Sequence, residues 1–375
     1  MDRFLTACAE GGDWQEIVSL CLAKLGPIPP QANLGFIYVT DALAGQLGHI
    51  ADRLRRTTDV DDWVGTVGLG ICCDDHEYYD APAAAVMVGT FPPDSYRVFT
   101  TLQRDLGNLR VHQEWLDDSQ FHPAVVHGDP RAAATPQLIE LLAEGIPGIY
   151  LVGGLSSSQS TFPQLANHLC EGGLSGVVFS SAVPVVTTLT QGCSPIGPVH
   201  RVTEARQNVV ATLDDRPALE VFKEEIGEVL ARDLGRAAGY IFVGRPVEGS
   251  DTGDYMVRNL LGIDPGSGQL VIGDSITTGG PLMFCRRDGA SAWEDLDRAL
   301  GSIKRRANAP ILGALYISCL GRGRYLFGDN SEELQRVQQA LGEVPLVGFF
   351  ANGEIAHDKL YGYTGVLTLF LQPNA

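Results

Sequence analysis

The 375 residues contain no CxxC, no GxGxxG, no GxxxxGK[ST] and no GxSxG. Those absences remove, in turn, paired-cysteine metal or redox loops, dinucleotide and nucleotide phosphate loops, and the strained serine elbow of α/β-hydrolases. Basic residues are scarce: 27 Lys and Arg stand against 45 Asp and Glu, a net charge of −18. A nucleic-acid or anionic-membrane partner needs basic patches, and the one compact run, Lys304-Arg305-Arg306, sits at an expected helix end, where cations suit the dipole. No apolar stretch reaches the length of a membrane span without charge, and the start lacks the basic-then-apolar pattern of a signal peptide. The eight cysteines are scattered, mostly among apolar neighbours, which fits reduced thiols in a cytoplasmic protein. Cys72-Cys73 is vicinal, but on a strand the two side chains point to opposite faces, so packing is the expected role.

What remains is an ordinary globular composition, 45% hydrophobic and 19% charged, able to bury a large core. Helical spacing predicts a helix in DWQEIVSLCLAKL, ended by Gly26-Pro27, and a second in DALAGQLGHIADRLRR with Asp41 as N-cap. LGFIYVT, WVGTVGLGICC, AAAVMVGTF, FHPAVVHGD, GIYLVGG, GVVFSS and PVVTTLT read as strands, with a helix over TPQLIELLAEG. Residues 198–216 read as a long hairpin turning at Gln207-Asn208, followed by one helix over PALEVFKEEIGEVLARDLG with Pro217 at its first position. The strands YIFVGRP, DYMVRNLLGID, GQLVIGD and PLMFCRRD come next, then alternating helices and strands to the end. The fold expected is mixed α/β (α+β): two packed domains, 1–212 and 213–375, each with a mixed or largely antiparallel sheet and helices outside. No fixed short repeat is apparent.

Metal and nucleophile patterns are incomplete. Gly273-Asp274-Ser275-Ile276 looks like the nucleophile block of GDSL-type hydrolases, but the late Asp-x-x-His is missing and a hairpin turn is the plainer reading. Glu354 and His357 have ExxH spacing in a single copy on a Gly-flanked loop, whereas di-iron sites need two copies on helices. No metal site is expected. Polar residues at strand ends stand out instead. Ser156 and Ser157 follow GIYLVGG, Cys319 and Arg322 follow ILGALYI, and Asn352 and Glu354 follow PLVGFF. Arginine between glycines suits a carboxylate or phosphate, Arg258-Asn259 places polarity inside an apolar strand, and the matching parity of Asn352 and Glu354 predicts one shared face.

In order along the chain, WVGTVGLGIC with EYYDAPAAAVM, VVHGDP, LVGGLSSS, LDDRPALEVF, DYMVRNLLGIDPGSGQLVIGD, SCLGRGRYLFG and GFFANGEI with LYGYTGVLTLF resemble the FIST sensory proteins, built from a FIST N and a FIST C domain. The resemblance covers about residues 33 to 370 and implies an intracellular small-ligand-binding module, with amino acids or related metabolites as ligands. Relatives often carry Cys-Asn-Gly-Glu-Ile where this chain has Ala351-Asn352-Gly353-Glu354-Ile355, which favours binding over thiol chemistry. The implied site is a pocket between the halves lined by Ser156, Ser157, Arg258, Asn259, Cys319, Arg322, Asn352 and Glu354, with Glu354 on a ligand ammonium and arginine on a carboxylate. A structural Glu–Arg pair is the alternative. With no kinase, cyclase or receiver segment in the chain, the output of a sensor would pass through a partner signalling protein. Two other functions stay open: a hydrolase or transferase using Cys319, or Glu354 as general base, and a haem-based gas sensor with His127 as axial ligand.

Overall fold

The computed structural model describes residues 4–247 and 254–373. The first stretch of chain forms β1 (Leu5–Glu10), α1 (Trp14–Leu25), β2 (Leu34–Thr40), α2 (Leu47–Thr58), β3 (Asp62–Gly68), a hairpin of β4 (Gly70–Cys73) and β5 (His76–Tyr79), and β6 (Ala83–Gly89). A second stretch repeats the order with β7 (Tyr96–Leu102), α3 (Gln113–Asp117), β8 (His122–Gly128), α4 (Thr135–Gly145), β9 (Ile149–Leu155), the hairpin β10 (Gln164–Ala166) and β11 (His168–Cys170), and β12 (Leu174–Phe179). After β13 (Val185–Gln191) the chain makes a separate compact unit, residues 191–295. That unit contains β14 (Cys193–Arg206), β15 (Val209–Leu213), β16 (Arg216–Pro217), α5 (Ala218–Ala231), α6 (Leu234–Tyr240), β17 (Ile241–Pro246), β18 (Tyr255–Asp264), β19 (Gln269–Ile272) and β20 (Pro281–Arg287). The order then resumes with α7 (Gly289–Arg306), β21 (Ile311–Cys319), α8 (Glu332–Leu341), β22 (Leu346–Ala351), the hairpin β23 (Glu354–His357) and β24 (Lys359–Tyr361), and β25 (Thr364–Leu371). Residues 1–190 and 296–375 form the other compact unit.

The larger unit is a threefold repeat. Its sheets run β1-β6-β2-β3-β10-β11, β7-β12-β8-β9-β23-β24 and β13-β25-β21-β22-β4-β5. Each is centred on a parallel strand–helix–strand pair, β2/β3, β8/β9 or β21/β22, with an antiparallel strand on one side. On the other side lies a hairpin donated by a different repeat. The first repeat gives β4–β5 to the third sheet, the third gives β23–β24 to the second, and the second gives β10–β11 to the first. The exchange is cyclic, so no sheet is completed by its own stretch of sequence.

Glycine marks the equivalent place in each parallel pair. Gly65 lies opposite Ile37, Gly153 opposite Val126, and Gly348 opposite Tyr316. A Cβ at these positions would stand 1.7, 1.9 and 1.7 Å from the facing carbonyl oxygens of Ile37, Val126 and Tyr316. The backbones therefore approach more closely than any side chain allows. At the amino ends of the parallel strands the space is filled by rings: the Phe91 ring centre lies 5.0 Å from that of Phe4, 5.2 Å from Phe179 and, edge-on, 5.5 Å from Phe370. That end is an apolar plug, which leaves the carboxyl ends to hold polar groups.

Local chemistry sets the elements much as the sequence indicates. In α1 the Asp13 carboxylate accepts from Glu16 N at 2.9 Å while the Glu16 carboxylate accepts from Gly12 N at 3.1 Å, a reciprocal N-cap. Asp13→Ala is expected to cost about 1 kcal/mol, read as a lower urea midpoint at unchanged slope. Three expectations need correction. WVGTVGLGICC is two strands in two different sheets, broken at Leu69. Asp41 opens a 3-10 turn without capping it, because its carboxylate is taken by Ser158 and by Gln159 N. The helix after Pro217 is kinked at Gly227, whose φ of 76° is not helical.

In the smaller unit Gln207 adopts φ 54° in the turn between β14 and β15, and the helices pack Phe222 and Leu219 onto Phe284, Val243 and Leu270 in one core. Among the described residues no helix is long and apolar enough to cross a membrane.

Candidate functional site

Parallel strands in open α/β sheets present their ligands' contacts at the carboxyl edge. Here the last residues of β3, β9 and β22 are tied to one another. Asn352 N donates to Leu155 O at 3.0 Å, and Ser157 N donates to Val67 O at 3.2 Å. The third link runs through a side chain: Leu69 N donates to Ser157 Oγ at 2.9 Å, and that hydroxyl donates to Phe350 O at 2.5 Å. Ser157 is thus the clasp of the repeat, and its hydroxyl spends its one proton on the strand ends. Ser156 is equally enclosed, 2.6 Å from the Thr66 hydroxyl.

The first residue of each donated hairpin to pair with its host strand occupies the same seat, opposite Thr66, Gly154 or Phe349. The occupants are Gln164, Glu354 and Ile71, each fully buried. Gln164 is satisfied by the Ser175 hydroxyl at 2.6 Å, and Ile71 needs nothing. Glu354 Oε2 accepts from Thr364 N at 3.1 Å and Thr364 Oγ1 at 2.8 Å, whereas Oε1 has no hydrogen-bond partner. Among the described residues no cation lies within ion-pair distance of it, although the Arg322 charge also acts on it. Burial pushes this carboxyl up from the ordinary 4.5 to about 7, with the Thr364 donors and the neighbouring Cys319 thiol holding it from rising further. The same scaffold position accepts a neutral amide and an aliphatic side chain, so the fold does not require a charge there.

Cys319, at the end of β21, lies beside Glu354, and burial followed by that carboxylate pushes its thiol well up. A nucleophilic cysteine needs the opposite shift. Asn352 is exposed while Glu354 is buried, so the expected shared face is not formed. Gly353, at φ 125°, breaks the extended chain between them and inverts the parity. Arg322 spends Nε and Nη2 inside the protein, while its buried Nη1 has no hydrogen-bond partner. It is fully buried, with Nη2 2.7 Å and Nε 2.9 Å from Glu333 Oε1, and its guanidinium lies over the Phe327 ring. Glu333, in the first turn of α8, also accepts from Tyr316 OH at 2.6 Å and Gly323 N at 2.8 Å. Glu333 and Thr364 were not legible as partners because neither belongs to a motif and each reaches its target across chain folding. Arg258 and Asn259 belong to β18 in the smaller unit, where Arg258 Nε bonds Asp274 Oδ2 at 3.0 Å and Asn259 is exposed.

His127 is fully buried in β8, with Nε2 3.2 Å from the Tyr38 hydroxyl and the ring 5.6 Å from Tyr38 and 5.9 Å from Phe349. Burial holds it down to about 3. Enclosed by these rings, it offers no open face to a porphyrin, and the residues around it do not fit an axial haem ligand. Among the described residues no group of three His, Cys, Asp or Glu is placed to hold a metal ion.

Repeated parallel strand–helix–strand pairs, with polar residues gathered at their carboxyl edge, define an α/β scaffold of the kind that carries ligand sites. The chain belongs to the FIST family: residues 33–216 match the FIST N domain and residues 218–357 the FIST C domain. It is 31% identical over 323 residues to the uncharacterized protein Rv0628c of Mycobacterium tuberculosis, covering 82% of this chain and 83% of that one. Over 360 residues it is also 31% identical to the uncharacterized protein Mb0898c of Mycobacterium bovis, covering 90% of each. The family models meet near residue 217, inside the smaller compact unit, so the FIST C match includes most of that unit and most of the third repeat.

Proposed function

We propose that this FIST protein is a cytoplasmic small-ligand sensor. Its ligand, an amino acid or related metabolite, presents an ammonium group to Glu354. The observation that carries the reading is the orphaned Glu354 Oε1: a buried carboxylate without a cation is costly, and two equivalent seats in the same unit do without one. Asn352, two residues before it, is exposed, so a ligand would enter by displacing the short glycine-hinged Asn352-Gly353 segment. A bound ammonium would supply the missing donor and neutralise the charge. The signal would pass to a separate signalling protein, which would read the position of the turn.

Native mass spectrometry of gently purified protein is the first test, followed by thermal shift against a panel of amino acids and amines. A ligand that raises the melting temperature of the wild type and not of Glu354→Gln is the expected result. Binding undiminished in Glu354→Gln, or confined to molecules without a cationic group, would overturn the assignment.

A further inference from the structure

The cysteines reserve a second chemistry. Of the eight, Cys8 alone is not buried. It lies on β1, at the edge of the first sheet, and its thiol and that of Cys73, the last residue of β4 in the third sheet, act on one another electrostatically. The Tyr78 hydroxyl donates to Cys8 Sγ at 3.1 Å, and the Lys24 ammonium is anchored on Cys8 O at 2.6 Å. Around the pair, Thr6 Oγ1 reaches Asp74 Oδ1 at 3.0 Å, joining the same two strands. Thr6 shares the face of β1 that carries Cys8, and with Asp74 it lines a cavity of about 380 Å³.

We propose that Cys8 and Cys73 form a peroxide-reactive dithiol, with Cys8 the sulfur that a hydroperoxide oxidises and Cys73 the thiol that closes the disulfide. The Cys73 thiol, then the Tyr78 hydroxyl and the Lys24 charge, hold the Cys8 thiol at about 7 against burial and the Asp74 carboxylate, so a thiolate is available at neutral pH. Cys73 is pushed well up, foremost by Cys8 and then by burial, and keeps its proton. In the first step the Cys8 thiolate bonds the distal peroxide oxygen. The O–O bond breaks with its electron pair on the leaving oxygen, which takes a proton from solvent, so the hydroperoxide becomes water or an alcohol and Cys8 a sulfenic acid. In the second step the Cys73 sulfur bonds to Cys8 as the Cys8 S–O bond breaks, and the Cys73 proton leaves with the hydroxide as water. The disulfide joins the first sheet to the third. Cys21, though close by, is pushed up to about 12 by burial first and serves as an internal control.

The full-length reduced chain, freed of reductant and treated with hydrogen peroxide, is to be alkylated and mapped without reduction. One intramolecular Cys8–Cys73 disulfide is expected at near-stoichiometric peroxide. Cys8→Ser should abolish it, and Cys73→Ser should leave a Cys8 sulfenic acid that a dione reagent traps. Tyr78→Phe should lower the Cys8 thiolate fraction at neutral pH, read as a slower first step, because it removes the hydroxyl that donates to Cys8 Sγ. A different cysteine oxidised first, an intermolecular disulfide, or a wild-type sulfenic acid that does not resolve would each overturn the proposal. The wild-type map decides the pairing even if a variant folds poorly.

Discussion

Arg322→Ala is expected to lower the unfolding free energy by about 3–5 kcal/mol, the scale for breaking a fully buried ion pair. The arginine meets Glu333 Oε1 through two nitrogens, and Glu333 is bonded as well by Tyr316 OH and Gly323 N. Truncation leaves that carboxylate without its cation, in a region where a second buried carboxylate already exists. Glu77 is pushed up to about 8 by burial and then by Glu333. With Arg322 gone the two buried carboxyl groups would share the site with less compensation. The double variant Arg322→Met with Glu333→Gln removes both charges at once, and it should regain more than half of the loss. Urea titrations of Arg322→Met, Glu333→Gln and the double give the coupling directly. An Arg322→Ala cost below about 1 kcal/mol, or no recovery in the double variant, would show that the pair is not what holds this corner.

The same pair marks where the sequence stops being readable. Arg322 was visible as an arginine between glycines, and such an arginine serves a ligand or a partner equally well. What decides is Glu333, eleven residues on in a helix whose exposed-looking Ser-Glu-Glu start gives no sign that one of the two acids turns inward. Local chemistry was otherwise a good guide. The first helix, ended by Gly26-Pro27, the strand β2 and the Gln207 turn follow from propensity and period alone, and the mixed α/β class follows from them. The threefold repeat was hidden for a physical reason. Its modules share little beyond Val64-Gly65, Val152-Gly153 and Val347-Gly348, because the one strict demand is a backbone contact, and each sheet is finished by a hairpin from elsewhere in the chain. The opening between LVGFF and GVLTLF was legible as polar, and its pattern of Asn352 out and Glu354 in was not, since a single glycine at φ 125° reverses the alternation. Ser157 was selected from its loop for the hydroxyl, and that hydroxyl closes the ring of strand ends.

Glu354→Gln is expected to make the protein more stable than the wild type above pH 8 and nearly equal to it below pH 4.5. The folded-state carboxyl titrates at about 7 against an ordinary 4.5, principally because it is buried. The folded chain therefore holds this proton more tightly than the unfolded chain does. The associated stabilisation is fully present below the unfolded value and is lost as pH rises through the folded one, a swing of about 3 kcal/mol. Glutamine keeps the Thr364 hydrogen bonds and resembles the protonated acid, so the variant should show none of that swing. The measurement is the difference in urea-unfolding free energy between variant and wild type across this range; other titrating groups cancel in the difference. A difference that stays flat with pH would mean that Glu354 is solvated or paired in solution. A wild type that carries its ligand should behave differently again. An ammonium against Oε1 would pull the carboxyl back toward its ordinary value, so saturating ligand should abolish the swing in the wild type and leave the variant unchanged. The pH dependence of the free protein thus measures the cost of leaving that charge unpaired, and its removal by ligand measures what the site is arranged to recover.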